Sequence, residues 1–282
     1  MTCERSAAVA EFLRRLKFKG KGRIIQHLRA ESMNREVTAD CNGISFRLDL
    51  RDNLQREIYF NVYEPVEIRA ALDLIPAGGV CLDVGANCGA FALPFAKKVG
   101  RGGVVHAFEP DRYAFARLVS NCRLNGFEGR LKCHPVAVSN IRGTLSFYGS
   151  DPFHSGWGSA VKFKDIAVRE ESVPATTLDD FLETERIHRV DFLKVDVEAH
   201  EPELLAGAAN SLKNQLFRFI LIEFNGFRLT QRGKSLDDYL VPLLPAGYNV
   251  MRPSITRLQS MKAGSTKQVS VLTNFLFAPE RA

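Results

Sequence analysis

The chain has 282 residues, 45% hydrophobic and 25% charged, so it is long and apolar enough to bury one sizeable core. It contains no apolar run of about eighteen residues and no basic-then-apolar leader, which argues against a membrane span or a secretory signal and favours the cytoplasm. The formal net charge is +6, and the basic excess is concentrated near the N-terminus.

Residues 1–57 are predicted to form a basic N-terminal segment, helical or extended, that precedes the main domain. Its basic side chains include Arg14, Arg15, Lys17, Lys19, Lys21, Arg23 and Arg29. Such a segment suits anionic lipid, an acidic glycan or RNA, but a solvated helix followed by a flexible linker explains the same charges. Because few aromatic residues interrupt the charges, nucleic acid is disfavoured as a partner, and weak contact with a membrane surface is kept as an alternative.

Beyond residue 78, apolar strands alternate with helices, which is the pattern of a parallel sheet covered on both faces. The predicted strands are 79–84, 103–109, 131–137, 190–196 and 217–224. The predicted helices are 89–99, 111–125, 177–184, 200–212 and 234–245. Two final strands at 248–251 and 269–277 have a polar loop and no predicted helix between them, so they are expected to pair antiparallel.

These elements predict an α/β fold with a doubly wound, mostly parallel seven-stranded sheet that ends in an antiparallel hairpin, the Rossmann-like arrangement of class I methyltransferases. The domain is expected to span residues 58–282. An insert at 143–174 interrupts the alternation and contains Trp157, the single tryptophan of the chain. Trp157 is a candidate for stacking on a substrate, and a hydrophobic plug is an equal alternative.

An apolar strand, a small-residue turn and the start of a helix follow one another at residues 79–91. Gly85 and Gly89 allow a ligand to approach the backbone N–H groups of the turn. Their spacing differs from the dinucleotide fingerprint, and Asp83 suits an ammonium group better than a pyrophosphate. The turn therefore favours a cofactor that joins adenosine to an amino acid, namely S-adenosylmethionine, although small residues also occur in such turns for packing alone.

Two later predicted strands end in carboxylates. Glu109 ends the next strand, where nucleoside-binding α/β folds use a carboxylate to accept from ribose hydroxyls. The fourth strand ends in Asp196 and Glu198, followed by His200, whose ordinary pKa near neutrality suits a general base. Asp196 or Glu198 would orient His200 or accept the proton directly. The competing interpretation is an ion pair between Lys194 and Asp196 together with helix capping by the glutamates.

The fifth strand ends at Glu223 and Asn225. Asp196, Glu223 and Asn225 offer oxygen atoms that suit Mg²⁺, which would lower the pKa of a substrate hydroxyl. A structural role for Glu223, in which its carboxylate accepts hydrogen bonds from backbone N–H groups across the cleft, is favoured over a role as a metal ligand. A divalent metal is therefore an alternative that the sequence does not favour. Glu223 and Trp157 are the candidate substrate contacts.

Six cysteines form no Cys-x-x-Cys pair, and most lie in predicted core elements. Reduced, buried thiols are therefore favoured over disulfides or a metal set. Cys88 lies in the predicted cofactor turn, where packing is favoured over reactivity.

Several motifs together are similar to those of one family. They are Tyr63-Glu64-Pro65, residues 80–89, residues 107–110, Asn121 and Asn125, residues 136–139, and residues 193–201. Between about residues 58 and 227 the chain resembles the FkbM family of S-adenosylmethionine-dependent methyltransferases. Ala199 stands where the last motif of this family usually has glycine.

The resemblance implies a class I methyltransferase fold and O-methylation of a hydroxyl group on a sugar, glycolipid or polyketide-type product. The residues that it assigns to the cofactor are Asp83, Gly85, Ala86, Asn87 and Gly89 in the turn, Glu109 at the ribose, and Ala137, Val138 and Ser139 near the adenine. Residues 196–201 correspond to the signature beside the reacting methyl group. The alternatives are a methyltransferase that acts on RNA or protein, and a binding module without catalysis. The acceptor, the general base and the oligomeric state are left open.

Overall fold

The computed structural model describes residues 14, 16, 20–26, 36–151, 154–163, 169–253, 258–260 and 273–280. Most of the basic N-terminal cluster lies outside these residues, so its contact with anionic partners stays a prediction. In this part of the chain, each helix is too short or too polar to traverse a lipid bilayer.

The helices and strands alternate much as predicted. The helices are α1 (Lys21–Gln26), α2 (Asn53–Tyr59), α3 (Pro65–Leu74), α4 (Ala92–Val99), α5 (Arg112–Leu124), α6 (Leu178–Thr184), α7 (Glu201–Ala206), α8 (Ala209–Lys213), α9 (Gly226–Gln231) and α10 (Asp237–Leu243). The strands are β1 (Val37–Asp40), β2 (Ser45–Leu48), β3 (Val80–Val84), β4 (Val104–Phe108), β5 (Leu131–His134), β6 (Ala137–Val138), β7 (Gly143–Gly149), β8 (Arg169–Thr176), β9 (Phe192–Val195), β10 (Ile220–Phe224), β11 (Tyr248–Pro253), β12 (Leu258–Ser260) and β13 (Thr273–Pro279). Short 3₁₀ turns occur at Gly100–Gly102 and Ser155–Trp157.

Eight strands of the described residues form the central sheet, in the order β12-β11-β13-β10-β9-β3-β4-β5. Strands β5, β4, β3, β9 and β10 are parallel, whereas β13 lies antiparallel between β10 and β11. This order confirms the predicted class I methyltransferase sheet and the antiparallel pairing of its last two segments. The short edge strand β12, which pairs with β11, is an addition that the sequence pattern did not predict.

The strands at the centre of the sheet are buried on both faces, which is why their sequences are almost continuously apolar. Successive residues of each strand belong to two apolar layers. Cys81, Phe192 and Leu221 pack in one layer, and Leu82, Leu193 and Ile222 pack in the other. Most buried polar side chains of these strands, among them Asp83, Lys194 and Glu223, lie near the carboxyl ends, where the site is expected.

The expectation of one helix over residues 200–212 is wrong, because α7 ends at Ala206 and α8 begins at Ala209. Gly207 lies at the break. A Cβ atom there would lie 2.0 Å from the carbonyl oxygen of Ser139, so the backbone approaches the turn after β6 more closely than any side chain permits. This contact joins the segment after β9 to the predicted adenine wall.

The β1-β2 hairpin is fastened to α5 by two asparagines one helical turn apart. The backbone N–H of Ser45 donates to Asn125 Oδ1 at 2.9 Å, and that of Arg47 donates to Asn121 Oδ1 at 2.8 Å. Asn121 also donates from Nδ2 to the carbonyl of Cys88 at 2.9 Å. The hairpin, which precedes residue 58, is therefore linked to the predicted cofactor turn, and the domain boundary at that residue stays a prediction.

The five described cysteines carry free thiols, and Cys3 lies outside the described residues. Cys88 is fully buried in the turn after β3, and burial raises the pKa of its thiol. A buried, protonated thiol is a poor nucleophile, so packing is the role that the structure favours for Cys88.

Candidate active site

The turn after β3 depends on a glycine at its first position. Gly85 has φ +81°, and a Cβ atom on it would lie 1.7 Å from the carbonyl oxygen of Asp196. The N–H groups of Gly85 and Ala86 both donate to the carbonyl of Phe108 at 3.0 Å. The end of β9 therefore touches the turn directly, and the predicted cofactor loop and the predicted catalytic segment form one site.

Glu109 lies beside this turn, at the end of β4. Its Oε2 accepts from the backbone N–H of Asn87 at 2.7 Å, and its Oε1 accepts from the backbone N–H of Asp111 at 2.8 Å. Burial raises the pKa of Glu109 to about 8 despite these bonds. Each carboxylate oxygen can accept a further hydrogen bond, so Glu109 retains the capacity to accept from ligand hydroxyls.

These groups line a cavity of about 800 Å³, a volume that includes its open mouth and is in the range of small-molecule sites. The predicted residues that line it are Asp83, Gly85, Ala86, Asn87, Glu109, Ala137, Val138, Asp196 and His200. The described lining does not include Gly89, Ser139, Trp157, Glu198 and Glu223. Gly89 instead closes the turn, donating its N–H to the carbonyl of Ala86 at 2.8 Å.

The predicted adenine wall and the predicted catalytic histidine meet. Ser139 Oγ, just behind the lining residues of β6, lies 2.9 Å from His200 Nε2. His200 Nδ1 lies 3.6 Å from Glu203 Oε2, and Glu203 accepts two hydrogen bonds from Arg232 at 3.0 and 2.7 Å. Burial lowers the pKa of His200, so its imidazole is held neutral between Ser139 and an already paired carboxylate.

Lys194 and Asp196 lie on the same side of β9, as strand alternation predicts. Lys194 Nζ is 3.2 Å from Asp196 Oδ2, and Lys194 is almost completely buried although both side chains line the cavity. Burial alone would lower the pKa of Lys194, but the surrounding carboxylates of Asp196, Glu64, Glu223 and Asp83 raise it. The ion pair predicted as the structural alternative is therefore present, and it lies inside the candidate site.

Asp196 also belongs to a cluster of three carboxyl groups. Oxygen atoms of Asp196, Glu198 and Glu223 lie within 4.8 Å of one another. Asn225, the third predicted metal ligand, instead accepts from the backbone N–H of Arg228 through Oδ1 at 3.2 Å and donates from Nδ2 to Glu198 Oε2 at 3.2 Å. Burial raises the pKa of Glu198 to about 8 and that of Glu223 well above its usual range. Asp196 and Glu223 converge as predicted, Glu198 joins them, and Asn225 is hydrogen-bonded to Glu198.

The segment after β9 leaves the extended conformation at two consecutive residues. Glu198 and Ala199 have φ of +49° and +68°, a left-handed conformation that costs non-glycine residues about 1–2 kcal/mol each. The conformation explains why related motifs place glycine where this chain has Ala199. Glu201 fastens the segment, since it accepts from the backbone N–H of Val197 at 3.1 Å and from the Tyr239 hydroxyl at 2.5 Å.

Residues of the insert form part of the cavity wall. The Ser155–Trp157 turn is held by Asp52 at the start of α2, whose Oδ2 accepts from the backbone N–H of Ser155 at 2.7 Å. Ser155 and Gly156 line the cavity, whereas the Trp157 ring stacks on His154 with centroids 4.2 Å apart and is 41% exposed. Trp157 therefore lies outside the described lining, and its contact with a substrate stays a prediction.

Other lining residues were not predicted as site residues. They include Leu54, Tyr63, Phe91, Val136, Phe147, Ser155, Gly156, Gly158, Ala160 and Lys194. Tyr63 belongs to the Tyr-Glu-Pro motif, which was noted only for its resemblance, and Lys194 was considered only as a structural partner. The remaining residues are mainly small or apolar, and their side chains carry no signal that separates a cavity wall from a core.

The sequence is similar to those of several known methyltransferases. The model described as "Methyltransferase FkbM domain" matches residues 83–250, more than half of the chain. The 31-O-demethyl-FK506 methyltransferase FkbM of Streptomyces tacrolimicus is 30% identical over 185 residues, 56% of this chain and 68% of the relative. The hexuronic acid methyltransferase AglP of Haloferax volcanii is 30% identical over 159 residues, 56% of this chain and 61% of the relative, which is less than two thirds of its length. The 2-O-methyltransferase NoeI of Sinorhizobium fredii is 29% identical over 181 residues, 59% of this chain and 71% of the relative.

Proposed function

The chain belongs to the FkbM methyltransferase family, and from this we infer that it is an S-adenosylmethionine-dependent O-methyltransferase acting on a hydroxyl of a sugar, an oligosaccharide or glycolipid, or a related natural product. The observation that carries this proposal is the cavity where Asp83, Glu109 and Asp196 meet. Two of the relatives are, by name, a hexuronic acid methyltransferase and a 2-O-methyltransferase, which supports a sugar-like acceptor.

The residues of the cavity fit the cofactor at both ends. Asp83 is buried, and its Oδ2 has no hydrogen-bond partner among the described residues, so the ammonium of an amino acid would satisfy it. Glu109 would accept from the ribose hydroxyls, and β6 would contact the adenine. When bound, the cofactor supplies a methyl group activated by its sulfonium sulfur.

The acceptor hydroxyl has to lose its proton when its oxygen is methylated. We assign the role of proton acceptor to Asp196, whose carboxylate lines the cavity 3.2 Å from the Lys194 ammonium. His200 is the second candidate, because its neutral imidazole also lines the cavity, although Ser139 ties it to the adenine wall. Glu198 and Glu223 lie outside the described lining, but their carboxyl oxygens lie within 4.8 Å of one of Asp196, so a contact of Glu198 with the proton-transfer site and of Glu223 with the acceptor stays a prediction.

A divalent cation bound by Asp196, Glu198 and Glu223 is the alternative way to acidify a substrate hydroxyl. We do not favour it, because the Lys194 ammonium already lies 3.2 Å from Asp196 and would repel a second cation. Lys194 neutralises charge where a metal ion would otherwise be needed.

Binding of S-adenosylhomocysteine, the demethylated cofactor, is expected to release about one proton per molecule at pH 7. In the free protein, burial raises the pKa of Asp83 to about 7 and that of Glu109 to about 8, so at pH 7 Asp83 is partly protonated and Glu109 mostly protonated. An ammonium and ribose hydroxyls that donate to these groups favour their charged forms, so affinity should increase as pH rises through this range. Titration calorimetry in buffers of different ionisation enthalpy measures the proton count.

The Glu109→Gln variant should bind more weakly and release fewer protons. Glu201→Gln is the matched control, because burial raises the pKa of Glu201 to about 7 but its carboxylate is bound by Tyr239 and does not line the described cavity. Binding without proton release would contradict the assignment of Asp83 and Glu109. If S-adenosylhomocysteine gave no heat of binding at all, the proposed dependence on S-adenosylmethionine would be rejected.

Incubation with methyl-labelled S-adenosylmethionine and separated fractions of sugars, glycolipids, small metabolites, RNA and protein tests the acceptor. The label is expected on a sugar-type hydroxyl as a methyl ether, which survives mild alkali where a methyl ester is hydrolysed. Added EDTA should leave the rate unchanged if Lys194 takes the place of a metal ion. Label confined to RNA or protein would support the rival methyltransferase, and binding without transfer would support a module without catalysis.

A further inference from the structure

Asp83 and Lys194 are paired neighbours in the register of β3 and β9. Both residues line the cavity, and their exposed fractions are only 2% and 1%. Asp83 Oδ2 and Lys194 Nζ each lack a hydrogen-bond partner among the described residues. A buried carboxyl group and a buried ammonium therefore lie side by side in the wall of one cavity, each with an atom that lacks a hydrogen-bond partner among the described residues.

Buried polar groups nearly always have partners, so this pair points to a ligand that carries the complementary groups. Asp83 requires a donor, and Lys194 requires an acceptor, for which an anionic oxygen gives the stronger bond. An amino acid presents an ammonium and a carboxylate on the same carbon atom. A ligand with only one of these charges would leave either Asp83 or Lys194 unsatisfied.

The other contacts of Lys194 leave room for such a ligand. Its Nζ lies 3.2 Å from Asp196 Oδ2, but in an orientation that does not form a hydrogen bond. The ammonium also lies 5.1 Å from the centroid of the Phe91 ring, at the start of α4. An ammonium has three N–H donors, so an ion pair with Asp196 and a ligand bond are compatible.

The charge balance around Lys194 disfavours a ligand group that is only an anion. The carboxyl groups of Glu64, Asp83, Asp196 and Glu223 all act electrostatically on its ammonium. A free anion would be repelled by any of these groups that are ionised. A zwitterion brings an ammonium together with its carboxylate and adds no net charge to the buried site.

We propose that Lys194 binds the α-carboxylate of the amino-acid end of the cofactor, beside Asp83, which accepts from its ammonium. The inference rests on the proposed S-adenosylmethionine dependence and extends it to a residue that was considered only as a structural partner. Lys194 then contacts both the bound cofactor and Asp196, so it also fixes the position of the proposed proton acceptor relative to the cofactor.

Calorimetric titration with two adenosine ligands separates this role from a structural one. S-adenosylhomocysteine carries the amino-acid end, whereas 5′-methylthioadenosine lacks it. The Lys194→Met variant is expected to bind S-adenosylhomocysteine about 10- to 100-fold more weakly, the range for loss of a hydrogen bond to a charged group. Its affinity for 5′-methylthioadenosine should stay within about twofold, because Glu109 and β6 are unchanged.

A ligand lacking only the carboxylate keeps the test independent of how well the variant folds. Wild-type protein should bind decarboxylated S-adenosylhomocysteine about tenfold or more weakly than S-adenosylhomocysteine, and Lys194→Met should remove this difference. The inference is overturned if the wild type binds both ligands equally, or if the variant weakens 5′-methylthioadenosine as much as S-adenosylhomocysteine. If the wild type bound none of the three ligands, both the proposed function and the inference about Lys194 would be rejected.

Discussion

Replacing Asp196 by asparagine is expected to slow methyl transfer by about 10²- to 10⁴-fold, the range for loss of a general acid–base group. Asparagine has nearly the same size but does not take up a proton at neutral pH. The affinity for S-adenosylhomocysteine should stay within about threefold, because the backbone of Asp196 keeps its contact with the turn at Gly85. Initial rates with labelled cofactor and calorimetric titration measure the two quantities separately.

His200→Gln is the informative companion variant. Glutamine retains a polar group for Ser139 but removes the imidazole that would accept a proton. If Asp196 accepts the proton, His200→Gln should slow transfer by less than about tenfold. A rate that falls at least 10²-fold in His200→Gln and stays normal in Asp196→Asn would reverse the assignment. Normal rates in both variants would show that neither side chain accepts the proton.

Replacing Gly85 by alanine should destabilise the fold by about 4 kcal/mol or more and abolish cofactor binding. A Cβ atom at this position would lie 1.7 Å from the carbonyl oxygen of Asp196, where only movement of one backbone segment relieves the overlap. The residue also has φ +81°, which adds left-handed strain for any side chain. Urea unfolding followed by circular dichroism, together with titration of S-adenosylhomocysteine, measures both effects.

Gly126→Ala is the matched control for Gly85→Ala. Gly126 has φ +63°, but nothing lies within 4 Å of a Cβ atom built on it. Its replacement should therefore cost only the left-handed strain, about 1–2 kcal/mol. The difference between the two variants isolates the backbone contact between the turn and β9. Equal stability of the two variants would mean that β9 does not pass against the turn.

The elements that were predicted well are those whose signals are local. The apolar strands, the turn from Asp83 to Gly89 and the carboxylate of Glu109 each depend on a few consecutive residues. Asp111 was expected near the start of a helix, and it caps α5 by accepting from the N–H groups of Tyr113 and Ala114 at 2.8 and 3.1 Å. Local hydrogen bonding and the repeat of apolar residues decide such features wherever the segment lies in the fold.

Features that depend on a distant segment were missed or misplaced. The break at Gly207 exists because the carbonyl of Ser139 approaches it, and Ser139 belongs to another element. Glu198 was not expected among the oxygen ligands, yet its carboxyl oxygen lies within 4.8 Å of those of Asp196 and Glu223, and Asn225 donates a hydrogen bond to it. Gly207 is visible in the sequence, but the contact that requires a glycine there joins segments far apart in the chain.

By itself, the amino-acid sequence determined the parallel sheet with its final antiparallel strand, the glycine turn and the carboxylates at the ends of β4, β9 and β10, because apolar periodicity and turn chemistry act over a few residues. Only the tertiary structure decided which of these groups share a cavity. It placed Lys194 beside Asp83, His200 against Ser139, and the insert turn at Ser155 over the cavity. Such contacts join segments far apart in the chain, and they arise from the pairing register of strands and the burial of polar groups that have to find partners.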